Sequence, residues 1–264
     1  MISITTAELN ALLAVFLWPL TRVLALVASA PVLGNPSVPL RVRLGLAVMI
    51  TLIVAPTLGP MPQVEPGSQA GLLILAHQIV IGLAIGFAMR VVFVAVEMAG
   101  ELVGLQMGLG FATFFDPENA GDIPVVGKFL GLVATLFFLT LNGHLQMISL
   151  LSQSFSALPI SGAALAATGF RTLVSWGGEI FAAGLLLALP LLAALLITNL
   201  ALGILTRAAP QLNIFTVGFP LTLAIGLLVL GLALPYLAPV LERMIQDGLQ
   251  MMPQIAEHLR TNPP

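Results

Sequence analysis

Three ionisable residues in the middle of the chain have types and spacing that could do chemistry. Glu97 and Glu101 stand one helical turn apart, and Arg90 lies seven residues before Glu97, so all three share one face of a helix. Carboxylates within an apolar helix face a cavity or a partner, and a proton-coupled transporter would use such a pair. The competing reading sets them at the water edge or against basic residues of a neighbour. The polar loop beginning at Asp116 favours the edge.

Other reaction chemistries find little support. His77, His144 and His258 are far apart in sequence, and none has a carboxylate at metal-ligand spacing. Each reads better as a partnered residue between helices than as a ligand or proton relay. Cysteine is absent, which excludes disulfides, thiolate metal sites and thiol nucleophiles. No G-x-x-x-x-G-K-[ST] occurs, and the Gly108-x-Gly110 pair precedes neither a strand pattern nor a Rossmann helix. His, Asp and Ser are too dispersed for a catalytic cluster, so the expectation is a protein that is not an enzyme and uses no cofactor and no metal.

The glutamates open the stretch EMAGELVGLQMGLGFATFFDPENAGDIPVV, residues 97–126. Glycines at 100, 104, 108 and 110 give the helix a small-residue face beside Glu101, Gln106 and Met107, and the pattern then dissolves at the turn signal Asp116-Pro117. Phe111, Phe114 and Phe115 put bulky apolar groups on this glycine-rich backbone. They could anchor an interfacial loop among lipid headgroups. Alternatively they could plug a conduit: a path for large, varied, unfolded chains cannot use a fixed charged filter, whereas a deformable ring of Phe and Met excludes water and ions yet yields to a polypeptide.

These groups must be positioned by an unusually apolar scaffold. Of the 264 residues, 59% are hydrophobic and 8% charged, and the mean hydropathy is +1.09, whereas soluble domains carry about 25% charged residues. The chain therefore reads as an integral membrane protein. No polar block is long enough for a separate soluble domain, so residues 1–264 read as a single membrane-embedded domain with an amphipathic to disordered tail over residues 243–264. A net charge of −2 supplies no basic footprint for nucleic acid. The N-terminus lacks a basic region ahead of its apolar run and carries Glu8, unlike a cleaved signal peptide.

Apolar runs over residues 23–40, 44–64, 66–89, 129–170, 180–206 and 208–241 predict about six helical segments. Pro19, Pro56, Pro190, Pro220 and Pro235 interrupt them, so the fold class is all-α, a polytopic membrane protein of kinked, hairpin-forming helices. The stretch from residue 44 to Pro56 would reach only about 18 Å, short of a hydrocarbon core of about 30 Å, and reads as half a hairpin. Such breaks are tolerated where the backbone is buried in protein or lines a water-filled path, which implies protein neighbours.

Three stretches, GLQMGLGFATFFDP (104–117), LTRVLALVASAPVLGNPSVPLRVRLGLA (20–47) and TRAAPQLNIFTVGFP (206–220), resemble the FliR family of the type III secretion export apparatus. The likeness runs essentially end to end. Its most specific parts are Arg22 with Pro31, Pro39, Arg41 and Arg43; Gln106, Met107 and Gly108 with Asp116 and Pro117; and Arg207 with Pro210, Gln211, Asn213, Phe215, Gly218 and Pro220. The resemblance implies a subunit of the flagellar protein-export gate in the bacterial inner membrane, at the flagellar basal body and raised toward the periplasm. FliP-like and FliQ-like subunits, and an FlhB-like one, would be its partners, and unfolded flagellar proteins the cargo. The family's pore-closing loop maps onto Met107, Gly108, Gly110, Phe111, Phe114 and Phe115. Glu97, Glu101, Gln106, Asp116, Arg207, Gln211 and Asn213 would then form a polar frame or subunit contacts. A virulence secretion homologue has the same fold. A proton-coupled secondary transporter is the alternative of a different class, although it should show paired broken helices in two related halves.

Overall fold

Prolines and apolar runs translate into helix boundaries in a computed structural model of the chain, which describes residues 6–59, 61–62, 64–111, 125–209 and 218–260, with the backbone alone for 6–13 and 111. The helices are α1 (Thr6–Ser29), α2 (Leu40–Val54), α3 (Gln69–Gln106), α4 (Val125–Thr140), α5 (Gly143–Ala157), α6 (Ala167–Gly177), α7 (Glu179–Ala208) and α8 (Phe219–Leu259). No strand occurs among the described residues. The all-α, polytopic class expected from composition is the one observed: four helical stretches, Leu40–Thr57, Gln69–Gln106, Ala167–Ala208 and Phe219–Leu259, are long and apolar enough to cross a membrane.

The prolines act differently from one another. Pro39 immediately precedes α2, and Pro56 sits in the 3-10 turn Ala55–Thr57 that ends it. Pro19 and Pro190 instead lie inside continuous helices, each removing one backbone hydrogen bond without ending the helix. The half-hairpin segment starts earlier than the apolar run suggests, because α2 takes Arg41 and Arg43 into its first turn. The long run over 129–170 divides at Asn142, whose left-handed φ of 56° ends α4 and starts α5. Asparagine tolerates that conformation better than most residues, so the break needs neither Gly nor Pro.

The described chain forms two compact units. The first contains the residues up to Val91, Asn142–Gly177 and those from Ile245 on. Its core joins α1 to the first part of α3: Ala14, Trp18 and Ile74 are buried together, flanked by Leu17, Met61, Val64, Leu75 and Ile160. Gly82 permits the close approach, since a Cβ there would lie 2.6 Å from that of Ala25. The end of α8 packs into the same unit. Ile245, Leu249, Met252, Ile255 and Leu259 are buried at helical spacing, so the stretch expected to be an amphipathic tail is a continuation of α8 to Leu259. Its final carbonyls are capped by α6: the Ala166 N–H donates to Leu259 O at 3.0 Å, and Thr168 Oγ1 donates to His258 O at 2.8 Å.

The second unit, Val92–Leu141 with Gly178–Met244, combines the end of α3, α4, α7 and the start of α8. Phe93 and Phe138 meet edge to face with centroids 5.6 Å apart, which fixes α3 against α4. A Cβ on Gly184 of α7 would come 2.8 Å from Ala95 O, so these backbones also touch closely.

Candidate functional site

The glycine face read from the sequence is the interface on which α3 and α4 close. A Cβ added to Gly100 would fall 2.6 Å from Gly127 Cα and 2.7 Å from Val126 O, a backbone-to-backbone contact that only glycine allows. One turn on, a Cβ on Gly104 would lie 3.6 Å from the Val126 side chain, and one turn back a Cβ on Gly131 would meet the Glu97 side chain at 3.1 Å. The pairs 97/131, 100/127 and 104/126 run in opposite senses along the two helices. Together α3 and α4 make an antiparallel stem whose two ends bracket residues 112–124.

The stem's exit is fixed on α8. Met107 is fully buried and its carbonyl accepts a hydrogen bond from Thr222 Oγ1 at 3.3 Å. Gly226, one turn beyond Thr222, presents no side chain there: a Cβ on it would lie 2.5 Å from Met107 Cγ. Gly108 then turns with φ 86°, a conformation reserved largely for glycine, and a short 3-10 turn, Leu109–Phe111, follows. A Cβ on Gly110 would lie 3.1 Å from the Leu105 side chain.

Of the other residues named from the sequence, Glu97 and Glu101 are exposed on α3 and Gln106 is half-buried. A Cβ on Gly131 would lie 3.1 Å from Glu97 Cγ, so the Glu97 chain lies over that glycine. Arg207 is exposed in the last turn of α7, where a cation complements the helix dipole. The Phe111 side chain, Phe114, Phe115, Asp116, Gln211 and Asn213 lie outside the described residues.

A second polar constellation, in the other unit, escaped notice as a site. Arg22 of α1 and Gln78 of α3 are both fully buried. Arg22 Nε donates to Gln78 Oε1 at 2.8 Å, Nη1 to Ser154 O at 3.0 Å and Nη2 to Leu158 O at 2.9 Å. The guanidinium also lies 4.2 Å over the Phe155 ring. Its acceptors include carbonyls at the end of α5, so the cation caps that helix where the dipole favours positive charge. The signal was present in the sequence, as a single arginine inside an apolar helix. Beside it, His77, Gln78, Ser161 and Arg260 help line a cavity of about 200 Å³ that has no carboxylate in its wall.

Among the described residues no cluster of His, Asp or Glu could hold a metal. Fold and site together define a multi-pass all-α membrane protein that contains a glycine-lined stem. The model for bacterial export proteins, family 1, matches residues 13–248. The flagellar biosynthetic protein FliR of Pectobacterium carotovorum subsp. carotovorum is 48% identical over 247 residues, 94% of each chain. FliR of Escherichia coli K12 is 46% identical over 259 residues, covering 98% of this chain and 99% of that one. FliR of Bacillus subtilis is 29% identical over 241 residues, 90% and 92% of the two chains. The chain belongs to bacterial export protein family 1, with the FliR proteins.

Proposed function

We propose that this chain is a subunit of the flagellar type III protein-export gate. It sits in the bacterial inner membrane, contributes to the channel for unfolded flagellar proteins, and carries a hydrophobic plug on the segment that starts at Gly108. The α3–α4 stem is the observation that carries this reading. A rigid, antiparallel pair of helices, closed by backbone contact at Gly100 and Gly127, brings both ends of the Phe-bearing segment to one place. Such a frame can hold an apolar stopper, and apolar constrictions close pores by dewetting. Met107 forms its base, and Glu97, Glu101, Gln106 and Asp116 provide a polar surround.

The chain works with partners rather than alone. Leu40–Thr57 buries only 22% of its residues within the chain, and an apolar 18-residue window of Phe219–Leu259 likewise 22%, against 67% for such a window of Gln69–Gln106. α7 likewise leaves Leu186, Ile197 and Leu200 exposed. FliP-like and FliQ-like subunits, with an FlhB-like one, are the neighbours this reading assigns to those faces. Arg207, Gln211 and Asn213 lie at subunit contacts. The driving energy comes from elsewhere in the apparatus, and the chain performs no catalysis.

The test compares ion conductance of complexes carrying Phe111→Ala, Phe114→Ala and Phe115→Ala with that of the parent at matched amounts of assembled complex. Leakage with intact assembly is expected. Unchanged conductance returns these residues to the role of lipid-interface anchors. Co-purification in mild detergent, with mass spectrometry of what accompanies the chain, tests the partners.

A further inference from the structure

The family resemblance places Met107 in the plug, yet its surroundings are those of an anchor. The side chain is fully buried, its N–H donates to Val103 O at 2.9 Å as the last turn of α3, and its carbonyl is held by Thr222 Oγ1 at 3.3 Å. Thr222 is itself buried and its hydroxyl is shared with Phe219 O at 3.0 Å. Met107 fills a notch that exists because residue 226 is glycine: a Cβ there would lie 2.5 Å from Cγ, 2.8 Å from Cε and 2.9 Å from Sδ. Thr222 and Gly226 are four residues apart and so share one face of α8. The next residue, Gly108, carries the positive φ.

We infer that Thr222 and Gly226 of α8 form a fixed socket for Met107, which positions the start of the plug segment, and that Met107 stays seated while cargo passes. The inference deepens the plug reading and rests on it. The unbranched thioether adapts to an irregular notch, so a methionine suits the purpose better than a stiff side chain. Rotation in the chain is then confined to Gly108 and beyond, where glycine tolerates a wide range of φ. Thr222 and Gly226 act through Met107 and are positioning residues.

The chain contains no cysteine, so a single introduced pair can be followed without background. Met107→Cys with Gly226→Cys, in membranes with the partner subunits co-expressed, should form a disulfide on oxidation. Export of a flagellar substrate by the oxidised form should equal that by the reduced form of the same variant. Export that stops on oxidation and returns on reduction overturns the fixed socket, as does failure of the pair to crosslink. A second variant reads positioning: Gly226→Leu should expel Met107 and raise the conductance of assembled complexes about ten-fold, and adding Met107→Ala should return it toward the parent, because the space is restored. A Gly226→Leu complex as tight as the parent, or no recovery in the double variant, also overturns it. Crosslinking without loss of export, combined with an unchanged phenylalanine variant, removes the plug reading while leaving the anchor in place.

Discussion

Arg22 Nε donates to Gln78 Oε1 at 2.8 Å, with both residues fully buried. The contact fixes the Gln78 amide, ties α1 to α3, and leaves the two terminal nitrogens of Arg22 free to cap α5 at Ser154 and Leu158. One planar side chain thus satisfies three acceptors at once, on α3 and at the end of α5, a geometry that the fork of a guanidinium permits and a lysine ammonium does not.

Removing that fork should be expensive. Arg22→Met nearly keeps the volume but strands Gln78 Oε1 and the Leu158 carbonyl, while Ser154 O keeps the Leu158 N–H, and each buried orphan costs about 1–3 kcal/mol. The expected outcome is a lower midpoint of thermal unfolding and loss of the protein from membranes. Arg22→Lys should recover little of it, since a point charge cannot serve all three directions. Equal stability for Arg22→Lys and the parent would refute the capping role.

At the stem, Gly100→Val must drive α3 away from α4, because its first side-chain atom already collides with Gly127. Overpacking of this kind costs about 1–3 kcal/mol. Assembly with partner subunits should fall, and the same change at Gly45, where nothing lies within 4 Å, should disturb the isolated chain much less. Thermal unfolding of the two purified variants distinguishes them.

Ending the chain after Glu242 removes Ile245, Leu249, Met252, Ile255 and Leu259, all buried. Each such side chain contributes about 1.5–3 kcal/mol, so their sum rivals the 5–15 kcal/mol or so that holds a whole domain together. Truncation should therefore produce a protein that is degraded rather than merely shortened. Gly169→Leu, which clashes with Leu259, should give a milder form of the same defect. Pulse-chase measurement of lifetime checks both.

Arg207→Glu places an anion at the C-terminal end of α7, where the helix dipole disfavours it. Recovery of assembled complex should drop, with little change in the amount of free chain. Asn213→Ala, by contrast, should retain assembly, as an interhelical polar contact is worth about 1 kcal/mol. Normal motility and normal assembly in Arg207→Glu would place this residue outside the subunit contacts.

The class of the protein and the locations of its unusual residues were legible in the sequence. Apolar runs set the helices, because in lipid every backbone group must find a partner inside its own segment and the length of a run has physical meaning. The spacing of Gly100, Gly104 and Gly108 marked a face on α3, whereas Arg22 was legible only as part of the family resemblance. What each of these touches was decided only by tertiary structure. Whether Pro19 breaks or merely bends a helix, whether Ile245 to Leu259 forms a loose tail or part of a core, and whether Met107 moves or anchors all depend on residues far away in sequence. Nothing local in Met107 indicates that Gly226 leaves room for it, and nothing local in Arg22 shows that the end of α5 lies within reach of its nitrogens. A run of side chains prescribes its own helix through hydrogen bonds a few residues apart, but close packing is a property of two surfaces, and the second surface is supplied by the fold.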